Sequence, residues 1–307
     1  MARIKGSPDQ GVPPVNHFLT KYGLFKTSQI IEIKNRKKKE FDMLVHHVRY
    51  NRREMDIAVP HAKYISIIRH PVTQYESFFG YFELAWYLHI NTTNPFETFM
   101  SDVEGFYAKR NYLHWQRTRN GQLYDFGFDQ RCDENLTKIK EKIKELAMEI
   151  DLMMINEYYD ESLILLRKLM CWEYKEILYI SQAVRSKSHR YPITEETKQR
   201  IISWNAGEIM LYDHFIKTFW EKVQEYGNSF GQDLAHFRAL RRNVKNECIK
   251  KNATNKEYRR MDKFVLKPNA STLCTDVSNS TALQLLEHSH LNYGNAGTRL
   301  YVELPSV

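Results

Sequence analysis

The sequence predicts an α/β fold, because helical and strand patterns alternate twice along it. Residues 64–68, Tyr-Ile-Ser-Ile-Ile, form a short apolar run typical of a buried parallel strand, and Pro71 stops that strand from continuing. From Thr73 the aromatic residues recur at helical spacing, which predicts a helix. The second alternation is an amphipathic helix over 136–150, an apolar strand over 152–155 and a further helix.

Two segments precede the first predicted strand. Residues 16–25 have the pattern of a short amphipathic helix that Gly23 would end. Residues 41–50 are apolar around His46 and His47, and a strand there would turn one histidine inward. A buried histidine is more often a hydrogen-bonded core residue than a catalyst, so this pattern alone assigns no role to either.

Aromatic residues are concentrated between the two alternations. Such side chains fill a core more often than they stack on sugar rings, although both interpretations fit the pattern. A helix is predicted to begin at Asn94-Pro95. The aromatic residues in question are Trp86, Tyr87, Phe96, Phe99, Phe106 and Tyr107.

The second half of the chain is predicted to be mainly helical. A basic connection over 178–192 is followed by helical spacing of apolar residues from Thr194 to about Lys250. After about Asn252 the chain is polar, and Cys274 and a helix over 283–286 are the features there that suggest order.

Arg69 directly follows the first predicted strand, and Ser77 lies on the helix after it. The carboxyl ends of strands in open α/β sheets are where ligands bind. A guanidinium fork with a nearby hydroxyl suits a phosphate, although an arginine at such a place is more often structural.

The whole stretch from Ile68 to Phe82, IRHPVTQYESFFGYF, resembles the galactose-3-O-sulfotransferase family. Its Arg-x-Pro followed by Ser is similar to the 3′-phosphate-binding motif of sulfotransferases. Residues 47–50, 124–129 and 155–172 resemble further segments of the family. The resemblance covers roughly residues 16–290 and implies a P-loop-like sulfotransferase fold, with a central parallel sheet flanked by helices.

The resemblance implies in-line transfer of a sulfuryl group from 3′-phosphoadenylyl sulfate to the 3-hydroxyl of a terminal galactose. The acceptor would be a glycolipid such as galactosylceramide or a glycoprotein glycan, and no metal is needed. By carry-over, Arg69 and Ser77 hold the 3′-phosphate and His47 is the general base. A neutral imidazole can take a proton from a sugar hydroxyl near neutral pH.

Two family features have no counterpart in the sequence. The first strand with its Lys-Thr-rich loop for the 5′-phosphosulfate is missing, since Phe25-Lys26-Thr27-Ser28 is too short to replace it. The resemblance also implies the membrane anchor of a type II protein of the Golgi lumen, and we expect no anchor within this chain. Because losing even one oxyanion-type donor costs on the order of 10² to 10³ in rate, we expect this chain alone to be weak or inactive. The alternative function is therefore a relative that only binds nucleotide or glycan.

The formal charge of +8 favours anionic partners. A nucleic-acid-binding protein based on residues 36–39 and 238–242 is a further alternative, but no recognition motif accompanies the charge. We therefore predict no nucleic-acid partner. The predicted organisation is a disordered segment over 1–14, an N-terminally incomplete sulfotransferase domain over 15–250 and a partly ordered polar extension over 251–307.

The cysteines and sequons indicate the compartment. The four cysteines are widely spaced without a Cys/His cluster, which argues against zinc and leaves Cys248 with Cys274 as a plausible disulfide. Five N-x-[ST] sequons favour a lumenal protein. The glycosylation candidates are Asn91, Asn135, Asn252, Asn269 and Asn279.

Overall fold

The computed structural model describes residues 23–29, 44, 48–110, 112, 114–181, 184–185, 189–258 and 261–278. The chain divides into two compact units, each assembled from separate stretches of sequence.

The helices are α1 (Arg52–Ala58), α2 (Pro71–Tyr81), α3 (Leu84–Tyr87), α4 (Pro95–Ser101), α5 (Val103–Lys109), α6 (Gly121–Asp125), α7 (Leu136–Glu149), α8 (Tyr159–Leu169), α9 (Tyr174–Ile177), α10 (Glu195–Trp204), α11 (Ala206–Tyr226), α12 (Phe230–Cys248) and α13 (Thr272–Ser278). The strands are β1 (Ile65–Ile68), β2 (Leu152–Ile155), β3 (Val184–Arg185), β4 (Ile249–Tyr258) and β5 (Met261–Leu266).

One unit, residues 63–162 and 185–227, contains the parallel sheet. β1 pairs with β2 in parallel, with Ile65 opposite Leu152 and Ile68 opposite Ile155. The intervening chain from α2 to α7 provides the crossover that a parallel pair requires. The predicted strand and helix pairs β1–α2 and α7–β2 are therefore confirmed, and the α/β class with them. Among the described residues this sheet has two strands.

β2 is buried along its whole length, as its continuous apolar sequence predicts. β1 differs, since Ile65 and Ile67 remain 37% and 42% exposed. α7 packs Ile139, Ile143 and Leu146 inward. Its N-cap is Asn135, whose side chain accepts a bond from the Lys138 N–H.

Most aromatic residues of this unit form its core. The side chains of Phe79, Phe96 and Phe99 are fully buried, and their ring centroids lie 5.2 Å apart in the Phe79–Phe96 and Phe79–Phe99 pairs. The core interpretation of Phe96 and Phe99 is confirmed. It is wrong for Trp86 and Tyr87, which are 70% and 42% exposed because the four-residue helix α3 turns them away from that core.

The predicted helical region over 194–250 is confirmed, with two breaks. α10 ends at Trp204, and α11 begins at once after Asn205. α11 ends at Tyr226, and Gly227 follows it with a φ of +91°, which is unfavourable for residues with a Cβ.

The other unit comprises residues 1–62, 163–184 and 228–307. Leu24 and Arg49 form a parallel bridge in it, so the end of the predicted helix over 16–25 is extended. Residues 16–22, and most of the predicted strand over 41–50, lie outside the described residues. A small core around Ile180 and Val244 is closed by the disulfide between Cys248 and Cys274, as the sequence suggested.

The extension over 251–307 is predicted to be partly ordered, and regular structure is described within it over 251–258 and 261–278. β4 and β5 form an antiparallel hairpin that starts where α12 ends, and α13 follows it. Backbone pairing and the disulfide supply the order that side-chain hydrophobicity did not predict. The predicted helix over 283–286 lies outside the described residues. No helix in the described part of the chain is both long and apolar enough to cross a membrane.

Candidate functional site

Polar side chains meet at the carboxyl ends of β1 and β2. The pairing of Ile68 with Ile155 brings Arg69 and His70, which follow β1, close to Glu157, which follows β2. The His70 N–H donates to Glu157 Oε1 at 2.9 Å. This is the edge of the sheet at which the sequence predicts a ligand.

The main chain of Arg69 is held by the side chain of Gln122. Its N–H donates to Gln122 Oε1 at 2.9 Å, and its carbonyl accepts from Gln122 Nε2 at 3.0 Å. Gln122 is held in turn by Glu208, which accepts from its N–H at 2.5 Å and from its Nε2 at 3.1 Å. Burial raises the pKa of Glu208 to about 7, against the opposing effect of these bonds from Gln122.

The guanidinium of Arg69 has no carboxylate partner within 4 Å among the described residues. Its Nε donates to the Thr73 hydroxyl at 3.0 Å. Burial lowers the pKa of Arg69, and the positive charges of Arg185 and Arg190 lower it further. The negative charge of Glu157 has the opposite effect. A partly desolvated guanidinium in a region with other arginines is well suited to an anion.

Helix α2 positions the two hydroxyls beside this arginine. His70 is its N-cap, accepting a bond from the Val72 N–H, and Pro71 occupies the first helical position. Thr73, whose hydroxyl contacts Arg69, and Ser77 are four residues apart and share one face of the helix. The predicted residues Arg69 and Ser77 are therefore linked through Thr73, which the sequence analysis did not single out.

A buried ion pair lies on the same helix. Arg185 Nη2 pairs with Glu76 Oε2, and Glu76 Oε1 accepts from the Tyr191 N–H at 2.8 Å. Arg185 Nη1 is buried without a hydrogen-bond partner. It lies against Gly80, where a Cβ would be 1.9 Å away, so only a glycine allows this approach.

His47, the predicted general base, lies outside the described residues. The site contains a different histidine, His70, whose ring packs edge-on against Tyr212 with centroids 5.0 Å apart. The Tyr212 hydroxyl donates to Glu157 Oε2 at 3.4 Å. Burial is the main cause that raises the pKa of Tyr212, and the negative charge of Glu157 raises it further.

Sequence reasoning missed Gln122, Glu208, Glu157 and the role of Arg185. A signal existed for Glu208, because it shares the apolar face of α11 with Leu211 and Phe215. A carboxylate in that position needs a buried partner. Gln122 has no such signal, since it follows an ordinary Asn-Gly turn.

Three of the five sequon asparagines are described with their side chains. Asn91, Asn135 and Asn269 are exposed, and Asn269 adopts φ +59° in the turn after β5. Asn252 is described as part of β4, whereas Asn279 lies outside the described residues. Within the described part of the chain, no group of three His, Cys, Asp or Glu residues has the geometry of a metal site.

Comparison with known proteins identifies the family. The family model for galactose-3-O-sulfotransferase matches residues 11–282. Galactosylceramide sulfotransferase from Mus musculus is 31% identical over 216 residues, which is 68% of this chain and 50% of that protein. Galactosylceramide sulfotransferase from Bos taurus is 30% identical over the same shares.

A relative with a different name has similar sequence identity and coverage. Galactose-3-O-sulfotransferase 2 from Mus musculus is 29% identical over 184 residues, covering 60% of this chain and 46% of that protein. The chain thus spans about half the length of the curated relatives it matches. No solved structure matches it. The family match over most of the chain shows that it belongs to the galactose-3-O-sulfotransferase family.

Proposed function

We propose that this chain takes part in the transfer of a sulfuryl group from 3′-phosphoadenylyl sulfate to the 3-hydroxyl of a terminal galactose. The observation that carries the proposal is the Arg69 guanidinium, which is partly desolvated, has no carboxylate partner in the described part of the chain and lies beside a hydroxyl-bearing face of α2. Family membership supplies the reaction class.

The residues of this site fit the 3′-phosphate of that donor. Arg69 offers the two terminal nitrogens of its guanidinium, because its Nε is already bonded to Thr73. Ser77, one turn further along the same helix face, offers a hydroxyl donor. Gln122 fixes the main chain of Arg69, which orients its side chain before the ligand arrives. The donor supplies the activated sulfuryl group.

His47 is the proposed general base, which would take the proton from the galactose 3-hydroxyl as the new bond to sulfur forms. We expect His47→Gln to lower the rate of transfer by about 10²- to 10⁴-fold, with little change in donor affinity. The acceptor is proposed to be a galactose-terminated glycolipid or glycoprotein glycan. The Golgi lumen is the proposed compartment, which agrees with the exposed sequons.

A binding experiment tests the donor site. Isothermal titration calorimetry with 3′-phosphoadenosine 5′-phosphate and with adenosine 5′-monophosphate isolates the contribution of the 3′-phosphate. Arg69→Ala should weaken binding of the first ligand by about 10- to 100-fold and leave the second unchanged. Arg242→Ala, an exposed arginine on α12, is the matched control. Equal losses for both ligands, or no loss, would contradict the assignment.

A transfer assay tests the reaction itself. Labelled sulfate transfer from 3′-phosphoadenylyl sulfate to lactose and to galactosylceramide should depend on both Arg69 and His47. The measurement also separates an enzyme from a binding protein. Donor affinity without detectable transfer to either acceptor would contradict the catalytic part of the proposal and leave the binding part intact.

A further inference from the structure

A second cleft lies in the unit that contains the parallel sheet. It has a volume of about 870 Å³ and is bordered by the end of α5, the turn before α7 and Trp204. This volume falls within the range of small-molecule sites, about 300 to 1,000 Å³. The predicted donor residues Arg69 and Ser77 are not among its lining residues.

Two of the lining side chains, Asp133 and Arg119, are largely buried polar groups. Asp133 is 8% exposed, and its carboxyl accepts from the Tyr107 hydroxyl at the long distance of 3.5 Å. Burial raises the pKa of Asp133 to about 7, against the opposing charge of Arg119 and the hydrogen bonds from Asn120 and Tyr107. Arg119 Nε is buried without a hydrogen-bond partner, although its Nη1 donates to Glu134 at 2.8 Å.

Aromatic rings stand beside these groups. The Arg119 guanidinium lies 4.3 Å from the centroid of the Trp204 ring. Tyr107 is half-buried and packs edge-on against Trp204, with centroids 5.4 Å apart, and the Arg110 guanidinium lies 5.7 Å from the centroid of its ring. Aromatic faces pack against the C–H faces of sugar rings, while carboxyl and guanidinium groups bond to ring hydroxyls as acceptor and donors.

The charge of the lining indicates a neutral ligand. Three arginines, Arg110, Arg119 and Arg131, are matched by Glu104, Asp133 and Glu134. Because the pKa of Asp133 is about 7, the lining carries at most a fractional positive excess near neutral pH. The site around Arg69 differs, since its guanidinium has no carboxylate partner among the described residues.

We propose that this cleft binds a neutral sugar unit of a glycan, as a site additional to the one that contains Arg69. Asp133 and Arg119 would bond to its hydroxyls, and Tyr107 would contact its apolar face. The sugar would come either from a separate glycan or from the N-glycan of this chain at Asn135, whose exposed side chain lines the same cleft.

Ligand-observed saturation-transfer NMR with lactose, on the full chain made without N-glycans, tests this proposal. Wild-type protein should give a saturable signal in the absence of any nucleotide. Asp133→Asn and Arg119→Met should each weaken lactose binding by about tenfold, corresponding to the loss of one good hydrogen bond. The exposed residue changes Asp213→Asn and Arg53→Ala are the matched controls and should leave it unchanged.

Binding of 3′-phosphoadenosine 5′-phosphate verifies that each variant is folded, since it reports on Arg69 and not on the cleft. The absence of a saturable lactose signal in wild-type protein would overturn the proposal. The proposal would also be overturned if both cleft variants were folded and bound lactose with the affinity of the wild type. Protein made with N-glycans is measured in parallel. If it loses lactose binding and Asn135→Gln restores it, the cleft is supported as a sugar site and its occupant is the chain's own glycan.

Discussion

Arg69 combines two properties that a phosphate site needs. Its main chain is fixed by Gln122, and its guanidinium is partly desolvated with its terminal nitrogens available to a ligand. Arg69→Lys retains the charge and the main-chain bonds but loses the bidentate fork. We expect it to keep the melting temperature of the wild type and to bind 3′-phosphoadenosine 5′-phosphate about tenfold more weakly.

Calorimetric titration and a thermal melt together check this expectation, with Arg242→Lys as the control for a generic arginine change. Unchanged affinity in Arg69→Lys would mean that a point charge suffices at this position. In that case the fork geometry would not explain the choice of arginine.

Glu208 makes the stability of the protein dependent on pH. Burial raises the pKa of Glu208 from 4.5 to about 7, so the folded protein holds this proton more tightly than the unfolded chain. The stability from this effect is complete below about pH 4.5 and is lost as the pH rises through about 7. Glu208→Gln cannot ionise, so the fall in unfolding free energy over this range should become smaller.

The expected difference is on the order of 1 to 3 kcal/mol between about pH 5 and about pH 8, since one pKa unit corresponds to about 1.4 kcal/mol. Urea unfolding at both pH values measures it, with the exposed Glu221→Gln as the control. Burial raises the pKa of Asp133 as well. Part of the pH dependence of stability therefore remains in both the wild type and Glu208→Gln. If the unfolding free energy fell by the same amount in Glu208→Gln as in the wild type, Glu208 would not be a source of the pH dependence.

At the scale of elements, α2 illustrates why a glycine inside a helix can be required. A Cβ at Gly80 would lie 1.9 Å from Arg185 Nη1, so Gly80→Ala must displace a guanidinium that is paired with buried Glu76. Gly231 on α12 has no atom within 4 Å of the equivalent position. Gly231→Ala should therefore stabilise the protein by about 0.5 to 1 kcal/mol through helix propensity, whereas Gly80→Ala should destabilise it.

Chemical unfolding of the two alanine variants is the measurement. We expect the unfolding free energy to rise in Gly231→Ala and to fall in Gly80→Ala, although each change adds one methyl group to a helix. If Gly80→Ala were as stabilising as Gly231→Ala, the contact with Arg185 would not constrain α2.

The disulfide joins the end of α12 to α13 across a sequence separation of 26 residues. Removing a crosslink of this span costs about 3 kcal/mol, because the unfolded chain regains the entropy of the open loop. The Cys248→Ser, Cys274→Ser double variant should therefore lower the melting temperature of the oxidised protein. Exposed Cys171 is free, so Cys171→Ser should not change it. Equal melting temperatures for the wild type and the double variant would mean that the crosslink does not stabilise the fold.

The elements that the sequence predicts well are those whose patterns are local. β1, α2, α7 and β2 each show their own apolar periodicity, and their pairing follows from the helix and strand order. The groups that position Arg69 are not local. Gln122 is 53 residues from Arg69, Glu208 is 86 residues from Gln122, and Arg185 is 109 residues from Glu76. No periodicity links such residues, and only the fold brings them together.

At the scale of the whole molecule, the disulfide and the sequons are features typical of proteins from oxidising compartments, as proposed for this chain. Asn91, Asn135 and Asn269 are exposed, and so are Thr93, Thr137 and Ser271, the hydroxyl residues of their sequons. The cap of α7 uses Oδ1 of Asn135, whereas a glycan is attached through Nδ2. The cap and a glycan are therefore compatible at this residue.

We accordingly expect that the chain, directed to the lumen of the secretory pathway in mammalian cells, carries N-glycans at these three asparagines. Enzymatic deglycosylation in heavy-oxygen water followed by mass spectrometry identifies each occupied site by conversion to aspartate. Asparagine-to-glutamine changes at the three positions serve as controls and should remove the labelled peptides. A folded, disulfide-bonded lumenal protein without glycans at any of the three would contradict the inference. The sequons would then reflect composition alone, and the proposed Golgi location would lose their support.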